Sequence, residues 1–250
     1  MRSISFTAIE GIPMVSAGDD LAALIAAGIA RTGAGLQDGD ILVVCQKVVS
    51  KAEGRIVNLE EVEPSEFAMN LARRWEKDPR AVEVVLRNSN RIVRNDRGVI
   101  IVETGPGWTC ANAGVDESNS PGDAHAILLP EDSDASARKL RDAMRESSGA
   151  NIAVIITDTF GRPWRDGLTE VCLGIAGMNP MLDLRGSTDL NGRELHHSVI
   201  AVADEIAAGA GLLMEKAGAV PAVIVRGYKF EPREASATVL IRPAEADLFR

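Results

Sequence analysis

Aspartates lie in two segments whose composition suits a hard metal ion. In IITDTFGR, residues 155–162, Asp158 follows an apolar run and Thr159 adds a hydroxyl. In CANAGVDESN, residues 110–119, oxygen-bearing side chains surround a glycine; they are Asn112, Asp116, Glu117, Ser118 and Asn119. Mg²⁺ and Mn²⁺ prefer such oxygen ligands, together with phosphate oxygens and water. We therefore predict that Asp116 and Asp158 gather divalent cations in loops at strand ends, although each segment taken alone fits a polar turn equally well.

Two further segments combine charge with the exit of a strand. QKVVSKAEGR, residues 46–55, carries Lys47 and Lys51, which suit a phosphate or carboxylate clamp or, equally, a solvated strand end. VRGYKFEPREAS, residues 225–236, carries Glu231 and Glu234. This loop is compatible with a lid in which Glu234 completes a metal site, or with an ordinary surface loop.

Apolar runs predict the strands that would position these segments. The β-branched runs at 41–50, 151–157 and 221–227 indicate buried strands. Helical spacing, N-caps and Pro at first turns predict helices at 21–31, 64–75, 79–87, 136–146 and 204–216. LTEVCLGIAG, residues 168–177, remains open between helix and strand. The mixture favours an α+β fold, or a mixed α/β fold with mixed sheets, in which residues 64–87 form a small helical lobe. We predict a single domain over residues 1–250, with two lobes as an alternative.

Composition excludes several classes of protein. The formal net charge of −9 gives no basic face for a nucleic acid and no attraction to an anionic membrane. Cys45, Cys110 and Cys172 are far apart and sit in apolar runs, so we interpret them as small buried hydrophobes. The N-terminal segment lacks a signal-peptide core and no apolar run reaches about 18 residues, so we expect a cytoplasmic protein with no membrane partner.

The usual phosphate-binding loops are missing from the sequence. It contains no Gly-Lys pair, which excludes a Walker A loop, and no GxGxxG. HExxH and GxSxG are also missing. A nucleotide would therefore have to be held by other means.

Six motifs, in their order along the chain, resemble one family. EGIPMVSAGDDLAALI, DGDILVVCQKVVSKAEGR, NAGVDESN, ITDTFGR, ADEIA and PAVIVRG together are similar to the coenzyme F420-0:L-glutamate ligases, the γ-glutamyl ligases of deazaflavin coenzyme biosynthesis. The resemblance runs from Ile9 nearly to the C-terminus. It corresponds to the ligase domain alone, without the C-terminal nitroreductase-like domain of two-domain relatives.

The resemblance implies a GTP-dependent amide ligase. Such an enzyme joins the amine of L-glutamate to the carboxylate of F420-0 through an acyl phosphate and then adds further γ-linked glutamates. It also implies two Mg²⁺ or Mn²⁺ ions per subunit, K⁺ as a further cation and an intertwined homodimer with an F420 ligase-like fold. Judged on the carboxylates alone, a metal-dependent nucleotide phosphohydrolase and a non-catalytic nucleotide-binding module are the alternatives.

The same resemblance assigns residues to roles. It gives Asp116, Asp158 and Lys51 to catalysis, and Asp116, Asp158, Thr159 and Glu234 to the metals. The PREAS stretch departs from the family pattern at Ala235, which leaves Glu231 as an alternative to Glu234. GTP would contact two groups of residues: Ile12, Pro13, Met14, Val15, Gln46, Lys47, Lys51 and Asn119 in the first, and Gly227, Tyr228, Lys229, Phe230, Glu231 and Glu234 in the second.

Overall fold

The structure is a computed structural model that describes residues 2–116, 124–215 and 218–247. Short strands alternate with helices along these residues. The strands are β1 (Ser5–Ala8), β2 (Ile41–Cys45), β3 (Ile56–Asn58), β4 (Ser89–Asp96), β5 (Val99–Thr104), β6 (Thr109–Ala111), β7 (His125–Ile127), β8 (Ala153–Arg162), β9 (Arg165–Ala176), β10 (Leu182–Asp183), β11 (Val199–Ile200) and β12 (Ala222–Arg226).

Helix ends follow the capping signals in the sequence. Asp20, Ser65, Asp78 and Asp132 each accept a backbone N–H in the first turn of the helix that follows. The α-helices are α1 (Leu21–Thr32), α2 (Gln46–Ala52), α3 (Glu66–Trp75), α4 (Pro79–Arg87), α5 (Ser133–Ser148) and α6 (Val202–Met214). No helix within the described ranges is both long and apolar enough to span a membrane.

A five-stranded mixed sheet organises the molecule, in the order β1-β12-β2-β8-β9. Strands β2 and β8 are parallel, whereas the other neighbours are antiparallel. Alternate side chains of β8 pack into two different hydrophobic cores, one on each face of the sheet, because successive side chains of a strand point to opposite faces. Val154 and Ile156 pack with residues of α1 and α5, and Ala153 and Ile155 pack with residues of α6. Helices therefore cover both faces of the sheet.

A second, smaller core lies in the region of residues 66–115. Helices α3 and α4 pack against the sheet β4-β5-β6 through Ala68, Val82, Val85, Ile100 and Val102. The predicted helical pair at 64–87 is thus present, but strands accompany it. Several sheets combined with separate helices confirm the predicted α+β architecture.

Two sequence-based boundaries are wrong. Residues 46–50 were expected to continue the strand that starts at Ile41, but they form α2. The β12 strand alongside begins only at Ala222, which pairs with Val44, and the Cys45 N–H bonds the Pro221 carbonyl just before it. Beyond that point a helix places Val49 in the core.

Asp158 was expected in a loop, but it lies inside β8. Strand β8 continues to Arg162 because it pairs with β9, which is formed by the segment that the sequence left open. The carboxylate is thus presented by a long hairpin. Its backbone is correspondingly fixed by cross-strand hydrogen bonds.

Candidate active site

The carboxyl ends of three co-directional strands define one edge of the central sheet. Strands β1 and β2 both run antiparallel to β12, and β8 runs parallel to β2. The loop containing Ile12–Val15 follows β1, and Gln46 follows β2. Asp158 comes directly after Thr157, the last residue of β8 that pairs with β2. Open α/β sheets place ligands at such an edge.

Helix α2 brings two lysines and a glutamine to this edge. Lys47 and Lys51 are four residues apart and therefore share one side of the helix. Gln46 is buried and accepts a hydrogen bond from Ser50 Oγ at 2.8 Å.

Asp116 reaches the site from a separate part of the chain. Its backbone forms an isolated antiparallel bridge with Ile127, with N···O distances of 3.0 and 2.8 Å. The Lys47 ammonium lies 2.7 Å from Asp116 Oδ2. Just before Asp116, Asn112 and Ala113 have positive φ angles of 51° and 55°. Non-glycine residues in this conformation concentrate at functional sites, where the surrounding structure compensates for the strain.

The carboxylate of Asp158 occupies the face of β8 opposite to its neighbours. Thr157 and Thr159 both donate their hydroxyl hydrogens to Glu170, so Asp158 between them projects the other way. Burial above all, with the negative charges of Glu170 and Asp116 added to it, raises the pKa of Asp158 to about 6. Hydrogen bonds from the Thr159 backbone and the Gln46 side chain oppose this shift of the pKa.

Lys51 is an unusual buried cation at the same site. The residue is only 5% exposed. Burial lowers the pKa of Lys51 first and the positive charge of Lys47 lowers it further, while Asp116 acts in the opposite direction. Two carboxylates and two ammonium groups thus influence one another at the end of β2 and β8.

The donor set fits a hard divalent cation that shares its coordination with a ligand. Among residues 2–116, 124–215 and 218–247, no three His, Cys, Asp or Glu side chains come close enough to hold a metal by themselves. Mg²⁺ is commonly bound by one or two carboxylates plus phosphate oxygens and water. Asp116 and Asp158 would supply the protein's share of such a set.

Within the described residues, the structure does not place the other predicted metal ligands beside the Asp158 carboxylate. The hydroxyl of Thr159 is directed to Glu170, away from the face of Asp158. Asn119 lies outside the described residues. The loop from Gly227 to Glu234 follows β12, which runs opposite to β2, so it starts at the other edge of the sheet. Within one chain the structure does not bring this loop to Asp158.

That loop lines a separate basic cavity of about 840 Å³. Lys229, Arg233 and Glu234 contribute to its wall, together with Arg141 and Arg145 of α5. Glu234 forms an ion pair with Arg141. The cavity also includes Tyr228 and Phe230, which supply apolar surface. The wall therefore combines positive charge with aromatic surface, and it also contains the carboxylates of Asp38 and Asp40.

Glu170 was missed by the sequence interpretation. It was hidden in LTEVCLGIAG, where neither helix nor strand was chosen. The Gly- and Pro-containing stretch between Thr159 and Leu168 is a hairpin signal that would have paired ITDT with LTEV. Pairing Thr159 with Glu170 then places the carboxylate next to the site.

Comparison with known proteins identifies close relatives. A family model described as F420-0:Gamma-glutamyl ligase matches residues 11–227. The chain is 47% identical to the coenzyme F420:L-glutamate ligase of Methanothermobacter thermautotrophicus over 250 residues, which is 99% of each chain. It is 48% identical to the protein of the same name from Methanopyrus kandleri, covering 97% of each chain. With the one from Archaeoglobus fulgidus it shares 44% identity over 97% of this chain and 94% of the relative.

Proposed function

The chain belongs to the F420-0:gamma-glutamyl ligase family, and we propose that it joins L-glutamate to coenzyme F420-0 with GTP as the activating nucleotide. As a member of this family it is an enzyme of the amide-bond-forming acid–amino-acid ligase class. The same reaction can extend the product through further γ-linked glutamates, with the new carboxylate as acceptor.

One observation carries the proposal beyond the family name. Asp116, Asp158, Lys47 and Lys51 come from three separate parts of the chain and converge at the carboxyl edge of the parallel strands. A reaction that brings nucleotide phosphates to a carboxylate needs alternating charges of this kind. The positive charges also allow a protein with a net charge of −9 to accept polyanionic substrates.

The proposed chemistry has two steps. A carboxylate oxygen of F420-0 attacks the γ-phosphorus of GTP, so that GDP leaves and an acyl phosphate forms. The amine of L-glutamate then attacks the acyl carbon and displaces phosphate, which leaves with the former carboxylate oxygen. Lys47 and Lys51 would reduce repulsion between the anions, and the water-excluded position of Lys51 strengthens that effect.

Divalent cations complete the proposed site. A bound Mg²⁺ or Mn²⁺ ion would polarise phosphate oxygens and hold the nucleotide in line with the acceptor. The family resemblance implies two such ions, with Asp116, Asp158, Thr159 and Glu234 or Glu231 as their ligands, and K⁺ as a further cation.

The two groups of GTP-binding residues favour a homodimer. Ile12–Val15, Gln46, Lys47 and Lys51 follow the carboxyl ends of β1 and β2, whereas Gly227–Glu234 begins at the opposite edge. Both groups can contact one nucleotide if a second copy of the chain supplies the loop. The function therefore includes an assembly in which each site combines two chains.

Mixed dimers test this arrangement. D158N and the double variant E231Q/E234Q should each be inactive alone. After subunit exchange at equal concentrations, half of the dimers are mixed and each has one intact site, so activity should return to about a quarter of wild type. A site contained within one chain would give no recovery on mixing.

A ligation assay tests the proposed function. Purified protein is incubated with F420-0, L-glutamate, GTP and Mg²⁺ or Mn²⁺, and the products are analysed by mass spectrometry. We expect a mass increase of one or more glutamyl units and GTP turnover that depends on F420-0. Rapid GTP consumption without F420-0, and no glutamate added, would instead identify a nucleotide phosphohydrolase.

A further inference from the structure

Glu170 forms a bridge between two threonines of the neighbouring strand. Thr157 Oγ1 donates to Glu170 Oε2 at 2.6 Å, and Thr159 Oγ1 donates to Glu170 Oε1. Both oxygens of one carboxylate are therefore engaged by hydroxyls on either side of Asp158. Hydrogen bonds to an ionised acceptor are shorter and stronger than neutral ones, so this bridge restrains three consecutive residues of β8.

Helix α6 leaves room for this carboxylate at a glycine. A Cβ atom added at Gly211 would lie 2.6 Å from Glu170 Cγ, well inside van der Waals contact. The Glu170 side chain therefore packs closely against α6 at a position where the helix has no side chain. Glu170 contacts the site through Thr157 and Thr159 of β8, and its negative charge also acts directly on Asp158.

We propose that Glu170 is a positioning residue that fixes the direction of Asp158 and so sets the affinity of the site for a divalent cation. The inference rests on the proposed function, because it assumes that Asp158 holds a cation. Glu170 restrains Thr157 and Thr159 on one face of the strand, which directs the carboxylate between them to the other face. On that face the Asp158 carboxylate hydrogen-bonds the Gln46 side chain and is close enough to Asp116 to feel its negative charge.

Loss of the bridge should weaken cation binding without dismantling the fold. The ladder of β8 and β9 extends over many residue pairs on both sides of Thr159–Glu170, so the hairpin should persist. Residues that orient metal ligands from behind typically change metal affinity by 10- to 100-fold when substituted. We expect a change near the lower end of this range, because β-sheet pairing restrains the same backbone.

Direct Mn²⁺ binding in the presence of a non-hydrolysable GTP analogue, followed by electron paramagnetic resonance at pH 8 and corrected for Mn²⁺ bound to the free analogue, tests the inference. E170Q removes the charge and one acceptor, whereas T157V removes one hydrogen bond of the bridge and keeps the charge. We expect both to raise the Kd for Mn²⁺, E170Q by about tenfold, while kcat at saturating Mn²⁺ changes much less. If E170Q does not fold, T157V alone decides.

D204N is the matched control. Asp204 of α6 also bonds β9, accepting from the Cys172 N–H at 2.9 Å, but this hydrogen bond is to the backbone and does not involve the threonine hydroxyls that flank Asp158. It should lower the melting temperature and leave the Kd for Mn²⁺ unchanged. Wild-type affinity in a folded E170Q or T157V would overturn the inference. Equal Mn²⁺ binding by wild type and D158N would instead refute the cation site itself.

Discussion

Asp116 and Asp158 are held in their site by different means. Asp116 is neutralised by Lys47 at 2.7 Å, whereas Asp158 receives hydrogen bonds but no ion pair among the described residues. Burial first, and then the negative charges of Glu170 and Asp116, raise the pKa of Asp158 to about 6, and a cation beside this carboxylate would offset both effects. These are the properties expected of a cation ligand. Structural ion pairs shift pKa values too, so substitutions must distinguish the two.

Asparagine substitutions separate ligation from folding. D116N and D158N keep side-chain shape and remove the negative charge. We expect each to lower the rate of ligation at least about a hundredfold, because charge stabilisation of the phosphates is lost. Both should remain folded by circular dichroism, and both should lose Mn²⁺ binding.

D96N is the control for these variants. Asp96 pairs with Arg94 on the surface, away from the central sheet. It should retain wild-type ligation and Mn²⁺ binding. Near-normal ligation by either D116N or D158N would refute the assignment of that residue as a ligand.

Stability of the metal-free protein should depend on pH through Asp158. Its pKa rises from the ordinary 3.8 to about 6 on folding, so the folded state binds the proton more tightly. This contribution to the free energy of unfolding is fully present below about pH 4 and is lost as pH rises through about 6. The side-chain amide of the D158N variant does not titrate, so the stability of that variant should lack this dependence.

Urea unfolding in the presence of a chelator measures the difference. Between about pH 4 and pH 7 the midpoint of the wild type should fall relative to that of D158N. Parallel midpoints over this range would show that Asp158 has an ordinary pKa in the folded state.

Elements of the fold were predictable where local signals agreed. Asp20, Ser65 and Asp78 mark helix starts because their side chains cap the first turn. The error at residues 46–50 arose because VVCQKVV has the same β-branched character on both sides of Cys45. The sequence alone does not decide between strand and helix there. The tertiary arrangement decides it, because the antiparallel partner β12 begins at Ala222, opposite Val44, and offers no further strand to pair with residues 46–50.

Helix α5 approaches strand β9 so closely that a glycine of the strand should not tolerate a side chain. A Cβ at Gly174 of β9 would lie 2.3 Å from the Ser133 carbonyl oxygen, a backbone atom that cannot turn aside. G174A should therefore lower the free energy of unfolding by about 2–3 kcal/mol, measured by urea denaturation.

G161A is the matched control in the adjacent strand. The nearest neighbour of a Cβ at Gly161 is Leu168 Cδ2 at 3.9 Å, which is ordinary contact. G161A should therefore lower the free energy of unfolding by less than about 1 kcal/mol. Equal effects of the two substitutions would contradict the packing of α5 against β9.

At the scale of the whole molecule, the sequence predicted the proximity of Asp116 and Asp158 better than it predicted where the Gly227–Glu234 loop lies. Asp116 and Asp158 were singled out by residue type and by family motifs, and both converge on α2. The Gly227–Glu234 loop was expected beside them, because motifs carry no information about which edge of a sheet, or which copy of a chain, they occupy. Sheet direction supplies that information only once the order of the strands is known.

If a second copy of the chain supplies the Gly227–Glu234 loop to each site, the active protein is a homodimer. Light scattering should give twice the 26.6 kDa mass of the chain at assay concentrations. The exposed apolar side chains of Trp164 and Leu190 would be consistent with burial in such an assembly. A fully active monomer would contradict the shared site.

Transfer of oxygen from the acceptor is the most direct test of the account. F420-0 labelled with ¹⁸O in its reacting carboxylate is incubated with L-glutamate, GTP and Mg²⁺, and the products are analysed by mass. One labelled oxygen should appear in inorganic phosphate for the first glutamate added to each F420-0, because later additions use the unlabelled carboxylate of that glutamate, and D158N should form neither product. Glutamate addition with unlabelled phosphate would contradict the acyl phosphate, and GTP hydrolysis without glutamate addition would contradict the ligase.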